Sequence, residues 1–203
     1  MPIFASNITR RVLKYRTPLF FLEYAIKHKQ VFYTMRTIDA RELTDNFFET
    51  IGKEWMLVTA GNNDKFNTMT ASWGCIGWLW NKPVAVVFIR PERYTHGFIE
   101  QGSTLTLSFL GHGEEARKAY AVCGSKSGRD CDKVAEAGLH PLETESGDIT
   151  FEEARLTMVC RKLYKDTMAE SNFIDKSLVQ WYGEKGGYHD VYVLEIENCI
   201  VKE

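Results

Sequence analysis

The chain has 203 residues, of which 44% are hydrophobic and 26% charged, and its formal net charge is −2 at pH 7. This length and composition are typical of one globular domain with a substantial core. The near-neutral charge excludes the broadly basic surface that nucleic-acid binding requires, and no apolar run approaches the ~20 residues that span a bilayer. We therefore expect neither a nucleic-acid partner nor a membrane partner.

The basic residues are concentrated at the amino terminus, where residues 1–36 contain seven Lys or Arg and a single acidic residue, Glu23. We expect residues 1–36 to be a basic extension outside the core fold, and residues 37–203 to form the domain. A signal peptide is disfavoured because Glu23 interrupts the apolar run and no small-x-small cleavage site follows. A basic interfacial helix and a functional start at Met35 are the alternatives.

The five cysteines are odd in number, widely scattered and without a CxxC pair. A chain of this length does not need a disulfide framework to be stable. Reduced cysteines and a cytoplasmic location are therefore expected.

Regular elements are predicted from Asp39 onward. Leu43, Phe47 and Ile51 have helical spacing, between an N-cap at Asp39 and a stop at Gly52. In chain order the pattern predicts a helix over 39–52, strands at 55–61 and 66–80, a turn at 81–83 and a strand at 84–89.

The second half continues with mixed elements. The pattern predicts a short helix ending at Gly102, a strand at 104–110, helices at 114–123 and 130–137, one bent strand or two strands over 149–164, a helix over 172–183 and a strand over 188–201. Strands outnumber helices, and hairpin-like turns join the first three strands, which favours an antiparallel β-barrel with added helices. The absence of GxGxxG after a strand and of GxxxxGK[ST] argues against a Rossmann or P-loop nucleotide site.

Hydroxyl side chains recur at every second position of the predicted strand 66–80, at Thr68, Thr70 and Ser72. One interpretation is that these hydroxyls face water, because Thr is simply a good strand residue. If the strand pairs with 84–89, however, Arg90 lies level with them and Arg93 follows within one turn. Guanidinium groups and hydroxyls suit a phosphate, and the flank of Trp73, Trp78 and Trp80 could cover a flat ring. These features predict a site for a flavin or pyridoxal-type phosphate.

Ordered blocks of the sequence carry a resemblance to a known family. The blocks are WMLVTAG, FNTMTASWGCIGWLWNKPVAVVFIRPERYTHGFIE, TLTLSF, SGRDCDK and GGYHDVYV. From about Met35 to the carboxyl terminus the chain resembles the flavin reductase-like family, which includes flavoredoxins. The resemblance implies a mainly β fold, an FMN-binding split β-barrel, built as an antiparallel, Greek-key-like barrel with peripheral helices.

The family pattern also implies which positions bind FMN. The strand that cradles the cofactor corresponds to Asn67, Thr68, Met69, Thr70, Ala71, Ser72 and Trp73. The loop that closes over the phosphate corresponds to Arg90, Arg93, Tyr94 and Thr95. A second loop that approaches the flavin, often across a dimer interface, corresponds to Ser127, Gly128, Asp130 and Lys133. Read alone, the second loop would be an ordinary solvated turn, and Lys133 a surface residue.

Histidines give weaker signals. His189 follows GGY and is either a substrate-side residue or a structural one. His96 and His112 are expected to have no Cys or carboxylate at ligand spacing, so no metal site is predicted. Cys75 stands where relatives more often have a small residue such as Gly, and a small buried role is expected for it.

The leading hypothesis is an FMN-dependent oxidoreductase that transfers electrons from NADH or NADPH to a flavin or another acceptor, with no catalytic side chain required. The second is a flavoredoxin-like electron carrier that is reduced by a partner protein. A third is a pyridoxamine phosphate oxidase-like or haem-binding relative. We expect a homodimer, because a partner subunit would cover the outer edge of a flat cofactor.

Overall fold

The fold is a largely antiparallel sheet whose two end strands are joined by a single short link. A computed structural model describes residues 34–182 and 187–203; the first 33 residues, and so most of the expected extension, lie outside the described residues. The strands are β1 (Met35–Ile38), β2 (Met56–Gly61), β3 (Phe66–Ala71), β4 (Gly74–Leu79), β5 (Lys82–Ile89), β6 (Thr104–Phe109), β7 (Pro141–Glu143), β8 (Ile149–Phe151), β9 (Leu156–Thr167) and β10 (Asp190–Lys202).

Eight of these strands form one sheet in the order β3-β2-β6-β9-β10-β5-β4, with β1 beside the end of β10. A separate small ribbon pairs β7 with β8, and every pairing in both sheets is antiparallel. The path does not close between β3 and β4, so the barrel is split there. The mainly β architecture with peripheral helices is confirmed.

The sequence predicted one continuous strand over 66–80, and this prediction is wrong. The chain forms β3, leaves the sheet at Ser72 and Trp73, and re-enters it as β4. β3 pairs with β2, whereas β4 pairs with β5, so the link changes partners across the split. Gly74 is required at the re-entry point, because a Cβ there would lie 2.7 Å from the carbonyl oxygen of Val86.

The turn after β4 is also displaced from its predicted position at 81–83. It is a two-residue turn made by Trp80 and Asn81, which have φ of 51° and 57°. Positive φ at both positions matches the twist of a tight hairpin, and Asn adopts it readily. Pro83 instead belongs to β5, opposite Trp78.

The continuous helix predicted over 39–52 is wrong. Asp39 does act as an N-cap, and its backbone N–H in turn donates to the Glu42 carboxylate, but it caps only the 3-10 turn Ala40–Glu42. Asn46 then caps a new helix, α1 (Phe47–Glu49), which runs directly into the π-helical turn Thr50–Glu54. A second side-chain cap in mid-segment restarts the helix, because a capping residue has extended backbone.

The remaining helices are α2 (Tyr94–Gln101), α3 (Glu114–Ser125) and α4 (Lys133–Ala137). Helix α4 begins later than predicted because the side chain of Asp132 accepts the backbone N–H groups of Val134 and Ala135. The region 149–164 is two strands, as one of the two alternatives proposed. The helix predicted over 172–183 is a 3-10 segment, Lys176–Tyr182, which we call the rim segment. Within the described part of the chain, no helix has the length and apolarity to cross a membrane.

The two faces of β3 have different surroundings, and this positions the site. Met69 and Ala71 belong to the apolar cluster inside the barrel. Thr70, on the opposite face, donates from Oγ1 to the backbone oxygen of Tyr120 in α3 at 2.7 Å. A second apolar cluster, which includes Leu57 of β2 and Tyr120, packs α3 against the outside of the sheet. Helix α3 therefore fixes the position of the edge strand β3 beside the split.

Candidate cofactor site

An open cleft of about 540 Å³ lies at the split in the barrel. Its walls come from β3 and the link that follows it, from the end of β5 and the loop after it, and from the start of β10. The lining residues are Met69, Thr70, Ala71, Ser72, Trp73, Phe88, Arg90, Arg93 and His189. Eight of these nine were predicted from the sequence; Phe88 was not, because as an alternate residue of a strand it looks like core.

The three hydroxyls do not form a single polar row. Thr68 is fully buried, and its Oγ1 accepts a hydrogen bond from Thr59 at 2.9 Å. Thr70 is tied to α3, and Ser72 lies on the link at the cleft wall. Thr70 and Ser72 therefore reach the cleft, as the alternation in the sequence predicted. The Thr68 hydroxyl instead forms a hydrogen bond with Thr59 on the neighbouring strand β2.

A half-buried cation, Arg93, and a buried one, Lys133, meet beside the cleft. The Nη2 of Arg93 donates to the carbonyl of Cys123 at 3.1 Å, and the Nζ of Lys133 lies 3.5 Å from the same oxygen and 3.4 Å from the carbonyl of Lys126. These carbonyls lie at the C-terminal end of α3, where the helix dipole is negative. Over residues 34–182 and 187–203, no carboxylate is within ion-pairing distance of either cation.

Burial shifts the pKa of both groups. Lys133 is only 3% exposed, and burial lowers the pKa of its ammonium to about 8. Burial likewise lowers the pKa of Arg93. Two adjacent cations withdrawn from solvent, one of them buried, whose contacts are neutral carbonyls are electrostatically costly unless an anion joins them. The arrangement is suited to an oxyanion.

A tight seam lies next to these cations. The Nδ2 of Asn67 donates to Oγ1 of Thr95 at 2.6 Å, and both residues are buried. A Cβ at Gly128 would lie 2.1 Å from Oδ1 of Asn67 and 3.1 Å from the ring of Tyr94. Glycine is thus the residue that lets the loop before α4 press onto β3 and α2. Four predicted residues meet here, although none of them lines the cleft.

Ser127 and Asp130 do not reach the cleft. The backbone N–H of Asp130 donates to the carbonyl of Ser127 at 3.1 Å, closing a turn, and the Asp130 side chain is exposed. Between them, Arg129 places its guanidinium 4.7 Å from the ring centre of Tyr94. This loop shapes the seam rather than presenting side chains to a ligand.

The outer wall of the cleft is aromatic. Trp73 is 42% exposed, and its ring lies 5.9 Å from that of Trp181 and 5.3 Å from that of His189. Trp78 and Trp80, which the sequence placed with Trp73, lie instead on the β4–β5 hairpin, outside the lining.

His189 is held by the rim segment. Its Nδ1 is 3.1 Å from the hydroxyl of Tyr182. Burial, with a further contribution from Arg90, lowers the pKa of His189 to about 4, so the imidazole is neutral at pH 7. Trp181 and Tyr182 were missed as site residues, because their sequence separation from β3 gives no signal that they meet it.

A second cluster disagrees with the expectation that no carboxylate lies at ligand spacing from His96. Glu100 is four residues further along α2, and Nε2 of His96 is 2.7 Å from Oδ2 of Asp190. The ammonium of Lys165 already lies 2.7 Å from Glu100 and 2.9 Å from Asp190. The cluster is thus an ion network with its own cation, and we assign it no metal.

The fold is a split antiparallel barrel with a cleft and two cations at its split, and this is the architecture of the flavin-binding split-barrel proteins. The flavin reductase like domain matches residues 48–203, and the chain belongs to that family. No curated protein matches the sequence.

Solved structures of similar fold come from several bacteria and archaea. An FMN-binding domain of a flavin reductases-like enzyme from Shewanella baltica has 16% identity and a TM-score of 0.60, covering 85% of this chain and 79% of that one. A flavoredoxin of Desulfovibrio vulgaris has 22% identity and a TM-score of 0.55, covering 73% and 69%. An NADH:FAD oxidoreductase of Streptomyces globisporus, in complex with NAD and FAD fragments, has 17% identity and a TM-score of 0.52, covering 72% and 73%. At these identities the similarity establishes the fold.

Proposed function

We propose that this protein is an FMN-binding oxidoreductase that takes electrons from NADH or NADPH and passes them to a flavin or another acceptor. The observation that carries the proposal is the convergence of a half-buried Arg93 and a buried Lys133 beside a cleft at the split of a flavin reductase-like barrel. The phosphate of FMN is the anion that this family membership leads us to place there.

The residues present fit the cofactor. Arg93 and Lys133 would hold the phosphate, each through charge-assisted hydrogen bonds of roughly 1.5–3 kcal/mol. The edge of β3 would support the rest of the molecule, with Thr70 and Ser72 as polar contacts and Trp73 and Phe88 as apolar ones. The seam that contains Asn67, Tyr94, Thr95 and Gly128 would keep the phosphate end rigid.

When bound, FMN supplies the hydride- and electron-transfer chemistry. The protein then has three tasks: it anchors the phosphate, it holds Trp73 and Phe88 along the cleft, and it presents His189 as a neutral hydrogen-bonding group. A neutral imidazole near the cleft adds no positive charge at pH 7 that would have to be compensated. None of these tasks requires a side-chain acid or base.

A flavoredoxin-like electron carrier is the second candidate, favoured by the similarity of fold to flavoredoxins. The two candidates differ in whether a nicotinamide can reduce the bound flavin. FMN-loaded protein is mixed anaerobically with NADH and then with NADPH while flavin absorbance is followed. Prompt bleaching supports the reductase; a flavin that bleaches only with dithionite supports the carrier.

FMN binding itself is tested on the apoprotein by calorimetry. Arg93→Gln and Lys133→Gln should each weaken FMN binding roughly tenfold or more. Arg117→Gln is the control, because it removes an exposed arginine of α3 that lies outside the cleft lining. Failure of the unaltered protein to bind FMN would overturn the proposal.

We also propose a homodimer and a cytoplasmic location. Trp78, Leu79 and Trp80 are 58%, 40% and 55% exposed on the β4–β5 hairpin, next to an end strand of the sheet. Exposed aromatic side chains beside an unpaired strand edge are commonly covered by another subunit. A solution mass equal to one chain would contradict the dimer.

The cysteines bear on the proposed cytoplasmic location. All five are free, which accords with a reducing compartment.

A further inference from the structure

Arg90 contacts the rim segment, and not the carbonyl groups that Arg93 and Lys133 share. Its Nη2 donates to the carbonyl of Trp181 at 2.9 Å, and its guanidinium lies 5.7 Å from the ring centre of Tyr182. Its remaining charged contact is with Glu92, at 3.7 Å. A planar guanidinium can donate to a carbonyl and stack on a ring at the same time. Arg90 therefore fixes two successive residues of the rim segment.

Those two residues pack against the aromatic wall of the cleft from outside its lining. The ring of Trp181 packs edge-on against Trp73, and the hydroxyl of Tyr182 meets His189. Trp181 is 58% exposed, whereas Lys133 at the cationic end is 3% exposed. The cleft thus has a buried cationic end and an open aromatic end. A reactant that diffuses in from solvent meets the aromatic end first.

We propose that Arg90 is a positioning residue that holds Trp181 against Trp73, and that these two rings with His189 form the subsite for a planar heterocyclic second reactant. This inference rests on the proposed function, because it needs a phosphate-anchored FMN at the other end. Indole rings offer flat apolar area with little conformational freedom, which suits a nicotinamide or a second flavin ring. The neutral His189 supplies one directional hydrogen bond beside them.

The test uses the full chain and separates the two ends of the cleft. The variants are Arg90→Gln, Arg90→Lys and Trp181→Ala, with Arg129→Gln as matched control, because Arg129 also stacks on a tyrosine and donates to a backbone carbonyl. FMN affinity of the apoprotein is measured by calorimetry. NAD⁺ and free riboflavin are then titrated into FMN-loaded protein while tryptophan emission is recorded, a readout that needs no turnover.

We expect Arg90→Gln and Trp181→Ala to retain FMN affinity within about threefold while weakening whichever probe binds by roughly tenfold, the equivalent of one charge-assisted hydrogen bond. Arg90→Lys keeps the charge and one donor and should recover part of the loss. NMR titration should show a higher His189 pKa in Arg90→Gln but an unchanged one in Arg129→Gln, since Arg90 contributes to lowering it.

Three results would overturn the inference. Arg90→Gln could weaken FMN as strongly as Arg93→Gln does, which would make Arg90 a phosphate ligand. The variants could leave the affinity for both probes unchanged, or neither probe could bind to the unaltered loaded protein. In these cases FMN binding stands and only the inference falls. If the unaltered protein binds no FMN, the proposed function fails first.

Discussion

Arg93 and Lys133 share one hydrogen-bond acceptor, the carbonyl oxygen of Cys123, although they are far apart in the sequence. Arg93 precedes α2, and Lys133 begins α4. Their common acceptor lies near the C-terminal end of α3, so three helices bring two like charges to one point. This convergence leads to separate predictions for the free and the FMN-loaded protein.

Replacement of Lys133 by Met should have opposite effects on stability and on binding. The apoprotein should keep or gain thermal stability, because an unpaired buried ammonium is removed and the stem volume is retained. FMN affinity should fall by roughly tenfold to a hundredfold, since a charge-assisted hydrogen bond to phosphate is lost. Thermal melts of the apoprotein and calorimetric titration with FMN measure the two effects. A variant that melts lower and binds FMN normally would show that Lys133 is structural.

The two effects should also separate with pH. The pKa of Lys133 is lowered to about 8 from 10.5, so between these values the unfolded chain binds more protons than the folded apoprotein. The contribution of this residue to apoprotein stability therefore rises as pH increases from 8 to 10.5. FMN affinity should fall over the alkaline range, because the neutral amine no longer attracts phosphate. FMN titrations at several pH values should show a slope that Lys133→Met removes; an unchanged slope would contradict the assignment.

Gly128→Ala should disrupt the seam. The new Cβ would lie 2.1 Å from Oδ1 of Asn67, so either the loop or β3 must move. Overpacking of this kind costs about 1–3 kcal/mol of unfolding free energy. Urea denaturation measures the loss, and FMN binding should weaken with it. Gly113→Ala is the control, since a Cβ there meets no atom within 4 Å. Equal stability of the two variants would be inconsistent with a tight seam.

Glu54→Gln should be the more damaging of two carboxylate changes far from the cleft. Glu54 is 3% exposed, accepts from the backbone N–H of Gly111 and pairs with Arg155 at 2.6 Å. Arg155 keeps its second partner, Asp45 at 2.8 Å, and its side chain is 38% exposed, so the loss is that of one charge-assisted hydrogen bond, about 1.5–3 kcal/mol. The exposed pair of Glu49 and Lys53 provides the control, because Glu49→Gln should cost less than about 0.5 kcal/mol. Chemical denaturation of both variants decides the comparison.

Local chemistry explains which elements the sequence could predict. Short strands bounded by turn residues were placed within a few residues, as with β2 and β6. The break at Ser72 and Trp73 was missed because alternation continues through it, and only the change of partner strand reveals it. The helix over 39–52 failed because a cap at Asn46 competes with apolar periodicity. Neither of these competing effects is visible in the hydrophobic pattern.

The site divided in the same way. Residues on β3 and on the loop after β5 were predicted, because they are adjacent in sequence or across a hairpin. Trp181 lies near Trp73, and Tyr182 lies near His189. These contacts depend on the path of the rim segment, which pairs with no neighbouring strand and so leaves no pattern in the sequence. The common acceptor at Cys123 is equally non-local. Charge and residue type predicted Arg90 as a ligand group, but its contact with the carbonyl of Trp181 is non-local and could not be predicted.

The open join between β3 and β4 has a consequence for the dynamics of the barrel. Each of these end strands has a partner on one side only, so the backbone amides on their outer edges lack the protection that a neighbouring strand gives. A cofactor in the cleft would lie against β3 and the link after it, which line that cleft, and would shield their amides from solvent. Amide hydrogen exchange should then slow on β3 and on the link when FMN is added, while β9 and β10 change little. The bound cofactor would therefore stabilise the open side of the barrel, where β3 has no neighbouring strand.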